Sequence, residues 1–133
     1  MADLDGRGLL SGLADGSLEA GQFGHRDHVR AAWQCLREDP LPQAAHRFSG
    51  LLRDFVKRVG AEDKYHHTLT LALMHLIDVR RRETPGDWDD FVRAYPELFR
   101  DARKLVEQHY APDLLDSAEA RRAFVEPNRA PLP

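Results

Sequence analysis

The chain has 133 residues, a length that suits one domain with a core of its own. With 42% hydrophobic and 31% charged residues it has the make-up of a folded protein and not of a disordered one. A formal charge of −3 offers no general attraction for a phosphate backbone or an anionic bilayer, so neither nucleic acid nor membrane is expected as a partner.

In chain order, Met1 to Gly12 of the first segment, residues 1–14, is acidic and glycine-containing, without the basic start and apolar stretch of a signal peptide, which points to the cytoplasm. The segment reads as a flexible lead-in, although Leu9, Leu10 and Leu13 could form a short helix that packs on the rest. Asp15-Gly16-Ser17 is a turn signal. From His25 to about Arg37 the apolar residues Val29, Ala32, Trp33 and Leu36 recur every three or four positions, which predicts a helix that Asp39-Pro40 ends. Trp33 is expected in the core, and the single cysteine, Cys35, is expected as a small helix residue. With no second cysteine there is no internal disulfide, in keeping with a reducing compartment.

A second helix is predicted over Pro42 to Val59, with Ala45, Phe48, Leu52, Phe55, Val56 and Val59 inward and Gly60 as its stop. A third starts near Asp63, carries Leu69, Ala72, Leu73, Leu76 and Ile77 inward, and ends in the solvated run Arg80-Arg81-Arg82-Glu83 before Thr84-Pro85-Gly86. Asp87 should cap a short helix to Tyr95 that Trp88 anchors by packing. Pro96 can open the next, carrying Leu98, Ala102, Leu105, Val106 and His109. Ser117 can cap a last helix through Val125, and 127–133 reads as a tail. No alternating strand pattern and no internal repeat is present. The expected class is all-α, a single-domain bundle of about four main helices over residues 15–126 with short extra ones.

The chemistry sits in the histidines. At about 100° per residue, His25 falls in the stripe of Val29, Ala32 and Leu36, and His28 lies roughly 60° away on the same side. A spacing of three lets two side chains meet. His66 falls within the stripe of Leu73 and Ile77, whereas His67 and His75 lie off it. Consecutive helices on short loops run antiparallel, so the first and third should run parallel and bring His25, His28 and His66 to one end. His109 faces inward and could join them. Three imidazoles with an open position suit a divalent transition metal, zinc first, with iron or nickel as alternatives. The ordinary reading of each histidine is a core ring bonded to backbone. Glu19, Asp27, Asp54, Glu62 and Asp63 are the candidate acids, and Asp27 is expected either on the surface or orienting a ring. Thr68 and Thr70 are expected to bond backbone carbonyls.

The pattern Phe23-Gly24-His25-Arg26-Asp27-His28-Val29, followed by Tyr65-His66-His67-Thr68-Leu69-Thr70, resembles a family of small uncharacterised bacterial proteins. In that family the motifs are an aromatic, a spacer and His-x-x-His, then Tyr-His-Glu-Thr-x-Thr. The resemblance covers roughly residues 15 to 80. It implies a helical fold and a shared polar site, and no particular activity. This chain carries His67 in place of the family's Glu.

Three functions stay open on the sequence. One is a metal-dependent enzyme acting on a small molecule, with His25, His28 and His66 as ligands and His67, Tyr65 or His109 moving a proton. Another is a metal-free module that holds an anionic or polar ligand at helix N-termini. The last is a structural or partner-binding protein whose polar cluster sets packing alone. No phosphate-cradling loop, nucleophile elbow or dinucleotide fingerprint is present.

Overall fold

The computed structural model describes residues 4–133, and among these the chain forms helices, turns and loops and no strand. The expected all-α class is therefore what the chain adopts. It divides into two compact units, residues 1–65 and 66–133.

The first unit contains α1 (Gly6–Asp15), α2 (His25–Glu38) and α3 (Leu41–Arg58), which pack on one another, with single 3-10 turns at Ala20–Gln22 and Glu62–Lys64. Residues 4–15 of the expected lead-in are thus part of the fold, and residues 1–3 lie outside the described ones. The alternative carried by Leu9, Leu10 and Leu13 is the one realised: all are buried, and Asp5 caps the helix by accepting from the Gly8 N–H at 2.8 Å. Gly6 lets α1 approach α2 closely, because a Cβ there would stand 2.8 Å from the Cβ of Gln34. The core of this unit includes Val29, Ala32, Trp33, Leu36, Phe48, Leu52 and Phe55 among the inward residues that the periodicity selects, whereas Ala45, Val56 and Val59 are only partly buried. Cys35 is buried among them, and burial pushes its thiol up to about 11, so it remains a neutral packing group. Gly60 stops α3 with φ +73°, a left-handed turn that passes the Ala61 N–H back to the Val56 carbonyl at 2.7 Å.

The second unit is built on α4 (His67–Glu83), followed by α5 (Trp88–Ala94), α6 (Glu97–Arg100), α7 (Ala102–Val106), α8 (Pro112–Leu115) and α9 (Ala118–Arg122). One cluster of its core is Ala72, Leu76, Val106, Tyr110 and Leu115. Asp87 and Asp90 cap α5 reciprocally, each accepting the other's backbone N–H at 3.0 Å. Trp88 is the anchor expected, stacked on Phe91 with centroids 5.9 Å apart and edge-on to Phe99. The helix predicted to run from Pro96 through His109 is instead broken at Asp101. That residue leaves helical geometry with φ −158° and ψ 74°, and its carboxylate caps α7 by accepting from the Lys104 N–H. Arg81 and Arg82 both reach Asp78, at 3.1 and 3.2 Å, so the arginine run at the end of α4 is held locally.

Candidate functional site

His25 and His28 occupy the first turn of α2. Gly24 precedes the helix in extended geometry, and Asp27 turns its carboxylate back to accept the Gly24 N–H at 3.0 Å. Asp27 is partly exposed and caps the helix that presents both rings. The ring centroids are 6.5 Å apart.

The wheel placed His25 deepest, and the structure reverses that order. His25 is exposed, because its stripe runs off the end of the core at the first helical residue. His28 is the enclosed one. Its ring lies 5.1 Å from Phe48, edge to face, and 6.0 Å from Phe23, which itself sits 5.3 Å from Phe55. The residue keeps some exposed surface, but its Nε2 is buried and has no hydrogen-bond partner. Burial, aided by the neighbouring His25, pulls its pKa down to about 4, so the ring is neutral at ordinary pH. A neutral imidazole with an unmet buried nitrogen costs about 1–3 kcal/mol unless something else satisfies it.

His66 belongs to the other unit and is differently employed. It precedes α4 as its N-cap, φ −134°, and its Nδ1 accepts the Leu69 N–H at 3.0 Å. Nδ1 must then be the unprotonated nitrogen, and Nε2–H donates to the carbonyl of Leu115 at 2.6 Å. Both nitrogens are spent, leaving no lone pair for a metal unless one of these bonds breaks. Burial, the largest influence, lowers its pKa below the ordinary histidine value, partly opposed by the Leu115 bond. Among the described residues no three His, Cys, Asp or Glu side chains gather as a metal-binding group; of the expected set, His25 and His28 lie in the first unit and His66 in the second.

The expected proton carriers fall in both units. His67 is the first residue of α4. Tyr65 lies in the first unit, with the Arg53 guanidinium 5.2 Å from its ring centre. His109 lies in the second, its Nδ1 at 3.0 Å from the carbonyls of Ala130 and Pro131. Thr70 bonds the carbonyl four residues back, His66 O at 2.7 Å, as expected. Thr68 also bonds a backbone carbonyl, but a distant one: its hydroxyl donates to Ala123 O at 2.8 Å and accepts the Val125 N–H at 3.1 Å. Sequence reasoning had no signal for that long-range pairing, since the partner is an irregular segment.

The chain matches no family model, no curated protein and no solved structure. The resemblance drawn on its two histidine motifs therefore rests on those motifs alone.

Proposed function

We propose that this protein binds a divalent transition metal, zinc first, through the imidazoles of His25 and His28 and uses it on a small molecule. The observation that carries the reading is the buried, unpartnered Nε2 of His28 one helical turn from a second imidazole. A neutral ring keeps one nitrogen lone pair, which a metal can take without first displacing a proton.

Geometry sets a condition. With metal–nitrogen bonds of about 2 Å, two rings on one tetrahedral ion have centroids roughly 5 Å apart. From 6.5 Å the rings must therefore close by about 1.5 Å, a side-chain rotation. Phe23 and Phe48 around His28 supply the apolar surround that limits water at such a site. The positive end of α2 opposes a cation by about 0.3–1 kcal/mol, which is small beside coordination free energies on the order of 10 kcal/mol. It also favours an anionic co-ligand, hydroxide or a substrate oxygen, at the open positions. His66 stands outside the proposed ligand set because both its nitrogens are bonded. Asp27 already meets the N-terminal N–H of Gly24 with a carboxylate, which weighs against a bare anion site there.

Metal analysis of untagged protein tests the reading. About one equivalent of transition metal per chain, present or taken up on titration, is expected. His28→Ala should abolish it, and His66→Ala should leave the affinity unchanged while costing stability. Less than a tenth of an equivalent with no uptake overturns the proposal.

A further inference from the structure

The residues after α9 lack regular structure but are held by many hydrogen bonds. From Ala123 onward the backbone is irregular, yet side chains of the 66–133 unit bond to its carbonyls at Ala123, Val125, Ala130, Pro131 and Pro133. Thr68 donates to Ala123 O and accepts the Val125 N–H. The Tyr110 hydroxyl donates to Val125 O at 2.8 Å; burial pushes its pKa up to about 12, so it stays a donor. His109 lies against Ala130 O and Pro131 O, and His75 Nδ1 lies 3.3 Å from Pro133 O. Facing carbonyls, both rings must carry their proton on Nδ1. The backbone joins in: Arg129 N–H donates to His109 O at 2.9 Å, and Ala111 N–H to the Asn128 side chain at 2.8 Å.

Between these bonds, Val125 and Leu132 pack on the cluster of Ala72, Leu76, Val106, Tyr110 and Leu115. This division of labour is that of a peptide-binding channel. Donors that read main-chain carbonyls hold any extended chain, and apolar seats select its side chains. A cavity of about 390 Å³ remains beside Pro131 and Pro133, bordered by Leu76, Glu97, Leu105 and His109.

We propose that this channel is a peptide-recognition surface which accepts residues 123–133 of a second copy in place of the chain's own. The occupant follows from the fit, since this segment is the one whose bonds and seats are matched. A segment that leaves α9 through non-helical residues can be exchanged between copies with every bond remade, which is why such exchange costs little.

The test uses the full chain and a fluorescein-labelled peptide of residues 123–133, read by polarisation. On the wild-type chain the tethered segment competes at an effective concentration of about millimolar, so binding is weak. Leu132→Asp removes an anchor from the tethered segment and leaves the channel intact, so the unmodified peptide should then bind at least about tenfold more tightly. Adding His109→Ala to that variant should reverse the gain, with circular dichroism confirming that both remain folded. Equal binding to the wild-type and Leu132→Asp chains, or equal binding of a shuffled peptide, overturns the proposal.

Discussion

The starts of α2 and α4 both present a histidine that sequence reasoning selected, and the two rings end in opposite states. His28 keeps a buried nitrogen with nothing bonded to it, whereas His66 uses both nitrogens, one to cap its helix and one to hold the Leu115 carbonyl. Residue type and helical position did not separate them. A count of partners at each nitrogen does, and it assigns His66 to stability and leaves His28 as the group open to chemistry.

Acid should open the widest gap. His28 has a folded pKa of about 4, below the ordinary histidine value near 6.5, so the unfolded chain binds a proton that the folded one refuses. Stability from this group is full above about pH 6.5 and is lost as pH falls toward 4, at up to about 1.4 kcal/mol per pH unit and about 3 kcal/mol in all. His66, whose pKa is also lowered, adds a loss of the same sign. Urea unfolding between pH 7.5 and 4 should show the slope, and His28→Leu should flatten most of it. An unchanged slope in that variant would mean that the acid response comes from other groups.

Next in size is His66→Ala, expected to cost about 2 kcal/mol by losing the cap on Leu69 and leaving the Leu115 carbonyl buried without a donor. A loss under a few tenths would place His66 with His28 after all. At neutral pH with chelator present, His28→Leu should gain about 1 kcal/mol, since it removes an unmet polar atom from an aromatic surround. A clear loss there would show that the nitrogen has a partner in solution. The smallest effect is Asp27→Ala, about 0.5–1 kcal/mol through the lost bond to Gly24; in thermal melts it should lower the midpoint by a few degrees.

The long helices were legible because burial repeats every three or four residues along them: Val29, Trp33 and Leu36 in α2, and Ala72, Leu76 and Ile77 in α4, are all buried. The wheel gives angle but not depth, which is why it placed His25 inside and His28 beside it. Depth depends on where the core stops along the axis, and His25 sits past that point. His66 was read as a helical residue, although an imidazole just before a helix can cap it; the Tyr65-His66 pair stands in extended geometry between the 3-10 turn and α4. The break at Asp101 was signalled only by its capping chemistry, and α8, opened by Pro112, was missed for want of length. The last helix, expected through Val125, ends at Arg122, and nothing periodic marks the residues beyond it, so the attachment of 123–133 to Thr68, Tyr110 and His109 could not be foreseen.

The bonds of Thr68 and His66 span 55 and 49 residues of chain. On the ribosome, α4 is made well before either partner. Its clamps at Leu115 and Ala123 cannot close until those residues have emerged, and the pairing of His75 with Pro133 waits longer still. The apolar face of Ala72 and Leu76 is therefore left uncovered during that interval, and this stretch of the nascent chain is where a chaperone would be expected to bind.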